Sequence, residues 1–241
     1  MAPRTPRAYL PALRYRWLTA LYDPLVRLTM PETAFKQRLL EQARIEPEHT
    51  ILDLGCGTGT LLLLLGHRRQ PVTAIGLDAD GEVLRLAAAK ARRHAAEIGL
   101  VRALSSEIPF ADGTFDRVLS SLTLHHLTRP EKLRTLAETF RILRPGGELH
   151  VADWGRPHNL LMRMLSVSVR LGDGRHRTAD NLDGRLPDLF SQAGFEAVSA
   201  VDRFATAFGT LALYRARKPG IARMPGADRK TSSIGEASRS R

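Results

Sequence analysis

Residues Ile51-Leu52-Asp53-Leu54-Gly55-Cys56-Gly57-Thr58-Gly59-Thr60 constrain this chain more than any other stretch. An apolar strand runs into a glycine-rich turn that opens a leucine-rich helix. Three glycines at alternate positions let the backbone turn sharply and approach a ligand closely, because no side chain stands in the way. A second strand, Val72-Thr73-Ala74-Ile75-Gly76-Leu77, ends in Asp78. An acid about 20 residues beyond the glycines is where a strand-turn-helix-strand unit holds the two ribose hydroxyls of a nucleoside. Asp53, at the end of the first strand, is the other acid beside the turn.

Strands and helices alternate along the rest of the chain, the order that builds a parallel sheet with helices on both faces. A helix is expected over 82–93, from Val83, Leu84, Leu86, Ala87 and Ala91 at helical spacing. Strand 3 is expected over 100–104, a loop over 108–116 and strand 4 over 117–121. A helix over 130–143 is stopped by Pro145-Gly146-Gly147 and followed by a strand over 148–152. A last helix over 181–193 precedes the runs 195–202 and 206–215, which read as an antiparallel edge pair.

The chain has 241 residues and a formal charge of +11, but the charge is uneven: residues 1–27 and 218–241 each carry +4, leaving +3 for the core. A solvated tail explains such basic ends, so nucleic acid is not the expected partner, although contact with an acidic membrane surface stays open. The single cysteine, Cys56, has no partner for a disulfide or a thiolate metal site, and a reducing, cytoplasmic compartment is expected. No segment has the ~18 to 20 consecutive apolar residues that cross a bilayer, and the arginine-bearing first 22 residues lack the apolar centre of a secretory signal.

Two cofactor classes fit the glycine turn. A dinucleotide site uses G-x-G-x-x-G with a pyrophosphate at the helix N-terminus, whereas the spacing here is G-x-G-x-G. The sequence L-D-L-G-C-G-T-G resembles motif I of the class I S-adenosyl-L-methionine (SAM)-dependent methyltransferases. Further matches are I-P-F-A-D-G-T-F-D, V-L-S-S-L-T-L-H-H-L, L-R-P-G-G-E-L-H-V-A-D and the Tyr22-Asp23 pair, which resemble the branch containing the ubiquinone and menaquinone C-methyltransferases. The likeness covers about residues 15–217. It implies a doubly wound, mostly parallel seven-stranded α/β sheet with an antiparallel last strand, SAM as cofactor and S-adenosyl-L-homocysteine as product. A Rossmann-type NAD(P) or flavin oxidoreductase, or a methyltransferase acting on nucleic acid, is the alternative.

Carried over residue by residue, the resemblance places the backbone of Gly55, Gly57 and Thr58 along the methionine portion of SAM. Asp53 orients the turn and reaches the amino group through water, and Asp78 accepts both ribose hydroxyls. Adenine is expected against Leu104 and Ser105, and Ser121 faces the methionine moiety. Leu104 departs from the family, whose polar residue there can bond the adenine amino group; Ser106 or Glu107 could substitute.

Methyl transfer needs a base only when the acceptor must lose a proton. His125, His126 and Asp153 follow strands 4 and 5, at the carboxyl ends where open α/β sheets place ligands, and are the candidates for direct catalysis. No metal is expected, for no carboxylate cluster argues for one. An N-P-P-Y motif for base or glutamine nitrogens is absent after strand 4, and one cysteine is too few for arsenite.

The domain reading is an N-terminal helical lid over 1–35, a methyltransferase domain over 36–217 with an inserted substrate lid over 155–185, and a basic, disordered tail over 218–241. Leu10, Leu13, Trp17, Leu21, Leu25 and Leu28 share one helical face in the first segment. Leu160, Leu161, Met162, Met164, Leu165 and Val167 form an apolar cluster in the insert, ahead of the basic stretch 170–177. A flexible lid over a small hydrophobic or anionic acceptor, quinone-like compounds included, fits these segments, as does ordinary core packing.

Overall fold

The computed structural model describes residues 32–67 and 71–220. The face carrying Leu10 to Leu28, the Tyr22-Asp23 pair and most of the basic tail lie outside the described residues. In chain order the elements are α1 (Glu32–Gln42), β1 (Thr50–Leu54), α2 (Thr60–Gly66), β2 (Thr73–Asp78), α3 (Gly81–Arg93), β3 (Gly99–Arg102) and β4 (Phe115–Ser121). A 3-10 turn (Leu124–His126) follows, then α4 (Arg129–Ile142), β5 (Leu143–Trp154), α5 (Leu160–Asp173), α6 (Arg175–Leu182), α7 (Leu186–Gln192), β6 (Glu196–Thr206) and β7 (Gly209–Arg217).

The seven strands form one sheet in the order β3-β2-β1-β4-β5-β7-β6. Neighbours from β3 to β5 pair parallel, and β7 is antiparallel to both β5 and β6. The expected antiparallel pair is therefore present, with β7 inserted between β5 and the edge strand β6. Side chains alternate between two cores. Ile51, Leu119, Ala152, Leu211 and Leu213 join one, while Leu52, Val118, Val151, Ala212 and Tyr214 join the other. That period of two places the cores on opposite faces of the sheet. Asp53 shares the face of Ile51, yet it is an acid with 1% of its surface exposed.

The helices begin where capping chemistry allows. Asp80 caps α3 by accepting from the Glu82 N–H at 2.8 Å, and Asn159 caps α5 through the Met162 N–H at 2.8 Å. Thr128 and Glu131 form a capping box at the start of α4.

Several boundaries differ from the sequence expectation. The helix expected over 181–193 is two helices, α6 and α7, parted at Gly184, whose φ of +77° lies in the left-handed region. β3 stops at Arg102, because the chain closes a turn in which the Glu107 N–H donates to the Leu104 carbonyl at 3.0 Å. β5 reaches Leu143 through an irregularity in its pairing with β4 between Phe115 and Arg117, so Pro145-Gly146-Gly147 lies within a bulged strand.

Candidate active site

The loops at the carboxyl ends of β1, β2, β4 and β5 meet at the point where strand order reverses between β1 and β4, the usual ligand crevice of an open α/β sheet. Two glycines there do different work. Gly55 sits at φ +73°, and a Cβ on it would lie 2.3 Å from the Thr123 Oγ1, so the close passage of the β4 loop excludes a side chain. Gly57, at φ +53°, has nothing within 4 Å of the same position. Its missing side chain leaves open space for a ligand.

Both acids flank that space. Asp78 Oδ2 accepts from the Gly57 N–H at 2.9 Å, and Oδ1 accepts from the Asp80 N–H at 2.9 Å, fixing the carboxylate at the end of β2. Burial raises the Asp78 pKa, and the bonds from Asp80 and Gly57 oppose that rise. Asp53 has neither oxygen hydrogen-bonded to the protein. Burial pushes its carboxyl up to about 7, with a further push from Asp78 and an opposing pull from the Lys36 ammonium. Buried carboxylate oxygens without partners are costly, and where they persist they mark a place made for a cationic donor. The Thr58 hydroxyl accepts from the Lys90 Nζ at 2.8 Å, which ties the turn to α3.

Thr123 closes the floor. Its hydroxyl lies 3.2 to 3.4 Å from the carbonyl oxygens of Ser121, Leu54 and Gly55 and donates among them. Leu122 holds φ +55°, a left-handed conformation costing on the order of 1 to 2 kcal/mol for a residue with a Cβ. Its N–H donation to the Ala152 carbonyl at 2.8 Å helps to fix it. The Ser121 Oγ is buried and unpartnered, the second polar group left open in this region. Leu104 is 42% exposed at the rim. Ser105 points elsewhere, its hydroxyl 2.9 Å from that of Thr135 on α4. Of the two residues expected against adenine, Leu104 therefore faces outward and Ser105 is bonded to a helix.

His125 and Asp153 come together. The His125 Nδ1 lies 2.7 Å from Asp153 Oδ1, and both residues are buried. Asp153 also accepts from the backbone N–H groups of Leu124 (2.8 Å), His125 (3.3 Å) and Trp154 (2.7 Å) and from the Asn181 amide (3.0 Å). Burial would raise its pKa, but the charge and hydrogen bond of His125 and the Trp154 N–H outweigh it and hold the carboxyl below its ordinary value. An ionised Asp153 can only accept, so the His125 Nδ1 carries the proton of this hydrogen bond. The His126 ring lies 4.0 Å from that of His125, centroid to centroid.

Asn181 was not a sequence candidate, since nothing in D-N-L-D marks an amide bound for β5. Its side chain spans from α6 to Asp153 and leaves its Oδ1 buried and unpaired. Lys132 was missed too. It is fully buried on α4, with its Nζ donating to the Arg177 carbonyl at 2.5 Å and lying 3.5 Å from Asp180. Burial lowers its pKa, and Asp180 and Asp153 oppose that. Together Lys132 and Asn181 fasten α6 to the core. Among the described residues, no group of three or more His, Cys, Asp or Glu is placed to hold a metal ion.

The strand order, the glycine turn and the acid ending β2 define a class I S-adenosylmethionine-dependent methyltransferase. Residues 51–147 match the model of the methyltransferase domain. An uncharacterised methyltransferase of Synechocystis is 32% identical over 206 residues, 85% of this chain and 92% of that protein. The demethylmenaquinone methyltransferase of Thermus thermophilus is 33% identical over 138 residues, a match spanning 56% of this chain and 62% of that enzyme. A SAM-dependent methyltransferase from Methanosarcina mazei shares the fold at a TM-score of 0.62 and 22% identity, over 75% of this chain and 97% of that one. The chain belongs to the class I SAM-dependent methyltransferases and resembles the ubiquinone/menaquinone C-methyltransferase branch. SAM is its cofactor, and the oxidoreductase alternative is set aside.

Proposed function

We propose that this enzyme methylates carbon or oxygen of a small apolar hydroxy-aromatic or quinol-like acceptor, with the cofactor held between Asp53 and Asp78. The observation that carries the cofactor pose is Asp53, a buried carboxylate with two unpartnered oxygens beside the open space over Gly57. A SAM ammonium group is the donor these oxygens lack. The backbone of Gly55, Gly57 and Thr58 lines the methionine part, Ser121 Oγ faces it, and Asp78 takes the two ribose hydroxyls. Adenine lies against Leu104 at the rim, with backbone polar groups of the 104–107 turn as its bonding partners.

When bound, SAM supplies a methyl group already activated by its sulfonium. The chain's own work is then positioning and proton handling. His125, held by Asp153, accepts the proton that a hydroxy-aromatic acceptor loses as its carbon or oxygen takes the methyl. His126, its ring tilted by 45° against that of His125, borders the same place. Segment 155–185 borders the acceptor, and residues 36–217 form the catalytic domain. The named activity of the Thermus relative, methylation of demethylmenaquinone, supports an apolar ring acceptor. A single cysteine supports a cytoplasmic enzyme, and no helix among the described residues is long and apolar enough to cross a membrane.

Two measurements test this reading. Asp78→Ala weakens SAM binding more than tenfold in calorimetry, since each charge-assisted bond to a ribose hydroxyl contributes about 1.5 to 3 kcal/mol. An unchanged dissociation constant in that variant places the ribose elsewhere. Incubation of the enzyme with methyl-labelled SAM and a cell extract puts the label into an apolar, solvent-extractable phenol or quinol. Label in nucleic acid or protein overturns the acceptor class while leaving the cofactor site standing.

A further inference from the structure

Helix α5 carries two apolar faces. Met162 and Val169, with Ser166 between them, are buried toward β7, where Gly209 comes within 3.2 Å of Ser166 if given a Cβ. On the opposite side, Leu160, Met164, Val167 and Leu171 recur at helical spacing and are 50% to 80% exposed, with Leu161 beside them at 54%. The packed face sits on the site end of the sheet, because Gly209 begins β7 where β5 ends at Trp154. The outward stripe therefore points away from the domain at the mouth of the crevice. Five large apolar side chains on one exposed face exceed the scattered apolar residues of an ordinary surface.

The charges beside the stripe are chiefly positive, the acids being Asp173 at the end of the helix and Asp183, which meets Arg170. Between Trp154 and Asp173 there is no acidic residue, while Arg163 and Arg170 lie along one edge of the stripe and Arg156 precedes the helix. Arg170 reaches Asp183 at 3.4 Å through an exposed contact. A short helix with apolar residues on its outer face and arginines at the edge suits the headgroup boundary of a bilayer, where leucine enters the acyl region and guanidinium groups meet phosphate. With 14 residues, α5 has the length to lie on that surface and not to cross it. A protein partner would more often meet such a stripe with acids at its own rim, but nothing in the run of arginines selects a shape.

We propose that α5 is a membrane-surface anchor that docks the mouth of the crevice on bilayers containing anionic phospholipid. The proposal stands apart from the choice of acceptor, since it concerns adsorption and not methyl transfer. For an apolar acceptor it provides a route from the bilayer into the site without passage through water. Asn181, which follows α5 on α6 and bonds Asp153, links the docked segment to the floor of the crevice.

The test is flotation of the full chain with vesicles of phosphatidylcholine alone and of phosphatidylcholine with phosphatidylglycerol. The parent floats with the anionic vesicles, and part of that binding persists at high salt because apolar burial is not screened. Met164→Ser combined with Leu171→Ser lowers the partition at least about tenfold, as each deeply buried apolar side chain contributes about that much. Both residues are exposed, so the variant's melting temperature remains that of the parent. Absence of parental binding, or binding that the variant does not change and salt abolishes, overturns the anchor; the second result assigns adsorption to the basic ends. A parental dimer in sedimentation that the variant dissolves also overturns it and gives the stripe to a second copy of the chain.

Discussion

At pH 8 the cofactor-free Asp53→Asn protein is expected to be more stable than its parent, and to lose that advantage as the pH falls toward 4. The parent buries a carboxyl whose pKa stands at about 7 in the folded chain, against an ordinary 3.8. Between those values the folded state holds a proton that the unfolded state has released, so stability falls as pH rises through that window and levels off above it. A gap of about three pH units corresponds to an upper value of roughly 4 kcal/mol. Asparagine does not titrate and escapes this cost. A gain of ~2 to 4 kcal/mol at pH 8 means several degrees in Tm for a domain of this size. The same change weakens SAM binding about tenfold or more, because the ligand's ammonium loses its carboxylate partner. Parental binding near pH 7 releases a proton, visible as an enthalpy that depends on the buffer, and the variant's does not. A variant melting no higher than the parent at pH 8 would falsify the idea that Asp53 is held ready for a cationic ligand.

Asp153→Ala has the opposite sign on stability. Five donors converge on this one carboxylate, from Leu124, His125 twice, Trp154 and Asn181. Each buried donor left without a partner costs about 1 to 3 kcal/mol, and entering water recovers part of that. A net loss of about 3 to 5 kcal/mol is expected in denaturant unfolding. Because the folded pKa of Asp153 lies below its ordinary value, its contribution is present at neutral pH and disappears as the pH falls below about 4. Methyl transfer falls roughly a hundredfold or more, the usual contribution of a positioned proton acceptor. Asp153→Asn separates the two roles. It keeps one acceptor oxygen for the backbone N–H groups of Leu124 and His125 and regains part of the stability, but an amide does not hold the His125 tautomer as a carboxylate does. Parental turnover in Asp153→Asn removes His125 from the chemistry.

What the sequence could reveal depended on how local each feature is. The turn at Gly55 to Gly59 and its two acids were legible because the glycine spacing and the strand ends encode them within thirty residues. The β6–β7 pair was legible as two apolar runs with a short turn between. Long-range contacts were not. Thr123 excludes a Cβ at Gly55 from 68 positions away, and Asn181 reaches Asp153 across 28. Neither residue type announces such a partner. The break at Gly184 was hidden because Leu182, Leu186 and Leu189 keep a helical rhythm across it. β3 ends at Arg102, two residues before the position expected from the sequence, and the Ser105 hydroxyl lies 2.9 Å from that of Thr135, a contact that nothing local in the sequence encodes.

The late position of β7 in the chain bears on how the enzyme is made. Among the described residues β6 pairs only with β7, and the end of β5 at Asp153 and Trp154 finds its neighbours in Ala212 and Leu211, almost 60 residues onward. A nascent chain still holding residues 209–217 inside the ribosome has one side of β5 unpaired and no support for β6, so an adhesive edge stays open until those residues emerge. The glycine turn and β2 emerge long before that and can form early by local contacts. The floor around Asp153 has to wait for the final strand, which makes completion of the sheet and acquisition of activity one and the same event.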